Sequence, residues 1–159
     1  MPHINEKIDF TVDVFIVYEN KVLLRKHDKY KIWLAVGGHI ELDEDPNQAA
    51  IREVKEEVGL DIKLIGEKPY FSDQNGYQEL IPPRFLNRHK ISNTHEHISL
   101  IYFATSKTDY IVPSKEEKSE EIKWFTSQEL DKYNIRNSIK FYARNALEEI
   151  VNQDDNFFF

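Results

Sequence analysis

From Phe10 to Tyr18 apolar and polar positions alternate: Phe10, Val12, Val14 and Ile16 interleave with Thr11 and Asp13, and both faces turn apolar at Phe15 and Val17. A period of two that fills in this way predicts a strand becoming buried along its length. Glu19-Asn20 reads as a tight turn, with Val22, Leu23 and Leu24 as the antiparallel partner, because a two-residue connection carrying Asn suits a hairpin. A third short strand is expected from Ile32 to Val36, stopped at Gly37-Gly38. The period then changes. Asp45 can N-cap a helix with Pro46 at its first position and Gln48 completing a capping box, and Gly59 suits a left-handed end, so a helix is predicted over 46–58. Leu60 to Ile65 alternates again, Ile98 to Ala104 is apolar on both faces as a central strand is, and Ile122 and Trp124 mark a further strand. Apolar residues from Ile135 to Ile150 recur at three- and four-residue spacing and predict a C-terminal helix. This order implies a mixed α/β (α+β) sandwich.

The 159 residues suit one domain spanning 1–159, without repeat or linker, and 40% hydrophobic residues supply a core. With 21 Lys plus Arg against 28 Asp plus Glu, the net charge is −7, which disfavours binding to long nucleic acids. A phosphorylated small substrate would then need a metal or a local basic patch. Zero cysteines exclude disulfides, thiolate metal sites and cysteine nucleophiles, and fit a cytoplasmic location. MPHINEKIDF carries no leader pattern and no window is long and apolar enough for a membrane span, so a soluble, unexported protein without a membrane partner is expected.

On the predicted helix, with Ala49 at 0°, Glu53 falls at roughly 40°, Glu56 at roughly −20° and Glu57 at roughly 80°, so the three carboxylates share a face. That face borders the arc of Ala50, Val54 and Val58, which can pack on a sheet. Crowded like charges are costly unless a cation neutralises them, and hard oxygen donors suit Mg²⁺ or Mn²⁺. The plain alternative is a solvated acidic face. The surrounding spacing decides between them: Gly38, five residues, Glu44, seven residues, then Arg52-Glu53-Val54-Lys55-Glu56-Glu57-Val58-Gly59-Leu60. Seven fixed identities coincide by chance at roughly 10⁻⁸ per starting position. The segment resembles the Nudix box, Gly-x5-Glu-x7-Arg-Glu-U-x-Glu-Glu-x-Gly-U with U aliphatic, and every specified position is filled.

The resemblance implies a Nudix-type α/β/α sandwich with a mixed central sheet, and hydrolysis of a pyrophosphate bond in a nucleoside diphosphate-linked small molecule by water attack on phosphorus. It implies metal ligation by Glu53, Glu56 and Glu57, with a backbone carbonyl near Gly37 or Gly38 as a further oxygen ligand. Arg52 would clamp a neighbouring carboxylate, and Glu44 would assist the metal or its water. The general base is Glu53 or a glutamate outside the box, with Glu96, Glu117, Glu120 and Glu121 as candidates. A non-catalytic Nudix-fold module that senses a nucleotide or a partner protein is the rival reading.

Between Gly66 and His97 no period is sustained, and a long connection is expected there. Tyr77 and Phe85 are candidates to stack on a base, and Arg84 and Arg88 to meet phosphates. Tyr77 lies 18 residues beyond Gly59, a placement that in similar sequences accompanies diadenosine polyphosphates, so dinucleoside polyphosphates stand beside nucleoside triphosphates as expected substrates. His95 and His97 share a strand face, two candidate metal ligands without a third at fixed spacing. Phe157-Phe158-Phe159 is expected to pack on the last helix or on a homodimer mate.

Overall fold

The computed structural model describes residues 3–71, 73–113 and 121–156. Its strands are β1 (Ile8–Tyr18), β2 (Lys21–Lys26), β3 (Trp33–Leu34), β4 (Val36–His39), β5 (Ile62–Ile65), β6 (Phe85–Lys90), β7 (Glu96–Ser106) and β8 (Glu121–Phe125). The helices are α1 (Pro46–Val58) and α2 (Asn137–Asn156).

The spine is a parallel pair, β1 against β7, in unbroken register from Ile8↔Glu96 to Val17↔Thr105. Both strands are apolar on two faces because both faces are covered. Val12, Val14, Ile16, Tyr102 and Ala104 pack with Ala49, Ala50, Val54 and Val58 of α1. Phe15, Val17, Ile101 and Phe103 pack with Ala143, Ala146, Leu147 and Ile150 of α2 on the opposite face. The result is an α/β/α sandwich around a mixed sheet. On one flank of the spine β4 pairs with the first half of β1 and β2 with its end, while β3 and β8 extend from β2. On the other flank β5 and β6 both pair antiparallel with β7.

The local signals account for the joints. Glu19 and Asn20 take positive φ values of 44° and 62°, a turn whose twist matches the strands that it joins. Asp45 accepts the Gln48 backbone N–H while the Gln48 side chain returns to the Asp45 N–H, completing the capping box, worth about 1 kcal/mol. Gly59 ends α1 at φ 71°, and a Cβ there would also lie 2.8 Å from the Val112 side chain.

Three features differ from expectation. Gly37-Gly38 do not stop a strand: β4 runs through them and pairs with β1 from Thr11↔His39 to Val14↔Val36. The single strand expected from Ile32 to Val36 is thus two, β3 on β2 and β4 on β1. Within the stretch expected to be one long connection, β6 pairs with β7. Only Phe85 and Leu86 of its six residues are apolar, so hydropathy does not reveal it. At the start of β1 it is Asp9 that is buried, while Phe10 is 49% exposed.

One partly buried group makes stability depend on pH. Burial pushes the Asp13 carboxyl up to about 6 from 3.8, against the opposing pull of a Ser99 hydrogen bond and the charge of Arg25. A raised folded-state pKa favours the protonated form, so stability is greatest in acid and falls as pH rises from 3.8 through about 6. Asp13→Asn is therefore expected to raise the melting temperature at pH 8, by the equivalent of at most about 3 kcal/mol, and to leave it unchanged at pH 3. Thermal melts at the two pH values check this, and a variant no more stable than wild type at pH 8 contradicts it.

Candidate active site

The α1 periodicity places Glu53, Glu56 and Glu57 on the edge of the buried face. Glu53 and Glu57 are buried, whereas the Glu56 side chain is half exposed. The β4 register sets what faces them: Gly38 pairs with Val12, a residue of the α1-covered face, and a Cβ at Gly38 would collide with the Glu53 carboxylate. Absence of a side chain at 38 is what lets the β4 backbone lie against Glu53.

Arg52 binds the constellation together. Its Nε and Nη2 donate to the two oxygens of Glu44 at 2.9 and 2.6 Å. Nη1 donates to Glu53 Oε1 at 3.0 Å and to Glu56 Oε2 at 3.1 Å, and Nη2 also to the His39 carbonyl at 3.0 Å. All five guanidinium N–H bonds have an acceptor, a geometry that only a planar fork supplies. The Arg52 hydrogen bonds hold the Glu44 carboxyl below its usual value despite partial burial. The same bonds raise the Arg52 pKa further, so it stays charged. Glu44 is steadied from its own loop as well, accepting the Glu41 N–H at 3.0 Å. Glu57 pairs with Arg25 of β2 at 2.7 Å.

This donor set fits a hard divalent cation. Three carboxylates stand within two helical turns, beside a strand backbone stripped of a side chain. Counting Glu44, four carboxylates meet two guanidinium groups among the described residues, an excess of two negative charges. Such crowding in a partly buried site is relieved by Mg²⁺ or Mn²⁺.

Next to the start of α1 lies a groove of about 340 Å³. Phe10, Ile40, Leu42, Pro46 and Leu100 give it an apolar lining, with Ile4 and Asn5 of the N-terminal segment on one side. Phe10 and Leu42 are therefore exposed at this groove, and neither follows from hydropathy: Phe10 belongs to a regular alternation, and Leu42 is an isolated apolar residue between Glu41 and Asp43. The connection that follows β5 is tied to the same helix end, since the Asn47 amide exchanges hydrogen bonds with the Ile81 backbone at 2.8 and 2.9 Å.

The other candidates from the sequence lie elsewhere. Tyr77 is half exposed, stacks on Phe71 and donates its hydroxyl to Glu79 at 2.5 Å. Arg84 pairs with Glu149 of α2 at 2.8 Å, and Phe85 packs against Phe103, Phe141 and Tyr142 on the α2 side. Arg88 and Glu96 form a two-pronged pair across β6 and β7 at 2.5 and 3.0 Å, which lowers the Glu96 pKa. Glu121 opens β8 opposite Lys26. Glu117, Glu120 and Phe157 to Phe159 lie outside the described residues. Arg25 was not a candidate from the sequence: only the sheet register brings it to Glu57.

Comparison with known proteins bears on the whole assembly. A family model described as the NUDIX domain matches residues 7–145. A protein of Lactococcus lactis subsp. cremoris named "Probable DHNTP pyrophosphohydrolase" is 33% identical over 99 residues, 62% of this chain and 55% of the relative. The matched segment thus spans about half the length of that curated relative. The crystal structure of a NUDIX-family hydrolase from Clostridium perfringens superposes with a TM-score of 0.80 at 38% identity, covering 89% of this chain and 97% of that one. The E. coli dihydroneopterin triphosphate pyrophosphohydrolase shares the fold at a TM-score of 0.63 and 18% identity, with 93% and 99% coverage.

Proposed function

This chain belongs to the NUDIX family, and on that premise we propose that it is a divalent-metal-dependent pyrophosphohydrolase of small triphosphates that carry a flat heterocycle. The observation that carries the reading is the complete carboxylate set of α1, pressed against Gly38 and locked by the five N–H bonds of Arg52. Nucleoside triphosphates and pteridine triphosphates such as dihydroneopterin triphosphate are the favoured substrates, with dinucleoside polyphosphates next. The name of the Lactococcus relative supports the pteridine arm. The groove supports a heterocycle in general, since Phe10, Leu42 and Leu100 offer it an apolar seat next to Pro46 at the start of α1.

Glu53, Glu56 and Glu57 would hold Mg²⁺ or Mn²⁺, with a β4 backbone carbonyl at Gly38. When bound, the ion neutralises phosphate charge, polarises a phosphoryl oxygen and lowers the pKa of water. Arg52 keeps Glu53 and Glu56 in register with each other and with Glu44. We assign proton acceptance from the attacking water to the Glu53 carboxylate, whose Oε1 Arg52 already orients at 3.0 Å. The water oxygen bonds to phosphorus, the bridging P–O bond breaks, and the leaving phosphate group takes the electron pair. The groove holds the heterocycle so that the phosphate chain runs along the start of α1.

Incubation of the protein and Mg²⁺ with each triphosphate, with diadenosine polyphosphates and with ADP-ribose, followed by chromatography, tests the reading. A monophosphate and pyrophosphate from at least one triphosphate is the expected result. Tight binding without product in Mg²⁺ or Mn²⁺ would overturn catalysis in favour of a sensing module.

A further inference from the structure

Five of the six histidines gather at one end of the β1–β7 spine, away from the carboxylate face of α1. The register brings them there. Asp9 pairs with His97, His97 with His89, and Thr11, on the same side as Asp9, with His39. By strand alternation these side chains share the sheet face opposite α1. His95 precedes β7, and the N-terminal segment folds back so that the His3 ring lies 3.7 Å from the His95 ring.

At the centre is the buried Asp9 carboxylate. Its oxygens accept the backbone N–H groups of Asn5 and Ile4 at 2.6 and 3.1 Å. Three imidazole nitrogens converge on Oδ2: His39 Nε2 at 3.1 Å, His95 Nε2 at 3.3 Å and His3 Nδ1 at 3.6 Å. Burial alone would raise the Asp9 pKa, but those N–H groups with His39 and His95 outweigh it and keep the carboxylate ionised. His95 is 3% exposed, and its Nδ1 lies 3.2 Å from the Glu6 carbonyl. A carbonyl accepts only from a protonated Nδ1, which leaves His95 Nε2 as the ring atom that faces the Asp9 carboxylate. His95 Nε2 and His97 Nε2 are buried without a hydrogen-bond partner.

We propose that His3, Asp9, His95 and His97 form a second metal site, separate from the carboxylates of α1, which takes a Zn²⁺-class ion. One ligand atom from each lies within 4.8 Å of all the others, four donors gathered around one point. Three imidazoles and one carboxylate are a borderline-soft donor set that suits Zn²⁺, whereas the all-oxygen set on α1 suits Mg²⁺. The Glu6 carbonyl holds His95 by its other nitrogen, as carbonyls hold metal-bound histidines. The half-exposed His3 gives the ion a path from solvent. Its consequence is structural: residues 3–7 become cross-linked to β1 and β7, and Ile4 and Asn5 of that segment line the substrate groove.

The test uses the full chain without a polyhistidine tag, carrying Glu53→Gln, Glu56→Gln and Glu57→Gln so that α1 is silent. Equilibrium dialysis against Zn²⁺, with elemental analysis, is expected to show one tightly held equivalent, and Co²⁺ in its place the strong visible absorption of a tetrahedral site. His95→Ala should abolish both. His3→Ala, which removes an exposed side chain and spares the core, should weaken Zn²⁺ binding at least tenfold. No tightly held equivalent, or equal retention in the His3→Ala and wild-type-histidine proteins, would overturn the proposal and leave Asp9 in an ordinary proton-shared histidine pair.

Discussion

Glu57→Gln is expected to lower kcat by about 10³-fold, which corresponds to about 4 kcal/mol of lost transition-state stabilisation. The substitution keeps volume and shape but removes the negative charge that a cation on α1 requires. The fold should survive, because an amide of the same shape keeps the place of the carboxylate beside Arg25, whose Nε sits 2.7 Å from it in an ion pair. Weakening that buried, charge-assisted pair costs about 1–2 kcal/mol, so a melting temperature lowered by several degrees is part of the prediction. Single-turnover hydrolysis beside a thermal melt separates the two effects. Activity near wild type in a folded Glu57→Gln protein would remove Glu57 from the metal site.

Arg52→Lys should show that positioning the carboxylates is as necessary as having them. Lysine keeps the charge but concentrates three N–H bonds on one nitrogen, against five acceptor contacts spread over Glu44, Glu53, Glu56 and the His39 carbonyl. At least one carboxylate is released, and the Mg²⁺ concentration for half-maximal rate is expected to rise about 10–100-fold with a fall in kcat. A role confined to stability would move the melting temperature and leave the Mg²⁺ dependence alone. That second outcome would contradict the assignment of Arg52 as the residue that sets the ligands.

The legible parts of this molecule are those written in local chemistry. Asp45, Pro46, Gln48 and Gly59 mark both ends of α1 because caps act within a single turn, and the helical period alone turns Glu53, Glu56 and Glu57 to one side. The spacing from Gly38 to Leu60 then identifies the family, whose domain the chain matches over residues 7–145. What stays hidden depends on register. Nothing near Arg25 announces Glu57, and nothing near Gly38 says that a strand continues through it, because both facts follow from pairings made with distant parts of the sheet. The histidines illustrate the same limit: His95 and His97 are visible as a pair, but Asp9 reaches them only through the parallel pairing of β1 with β7. β6 escapes notice for a different reason, since an edge strand with four exposed residues carries little hydrophobic signal.

Pyrophosphate release from dihydroneopterin triphosphate and from nucleoside triphosphates, followed across a Mg²⁺ titration for wild type and for the Glu53→Gln, Glu56→Gln, Glu57→Gln protein, tests the central claim most directly. Wild-type turnover of at least one substrate should rise from none in chelator to saturation, with the triple variant at background throughout. Release that persists in chelator, or a folded triple variant that keeps pace with wild type, would contradict the assignment of catalysis to the carboxylate face of α1.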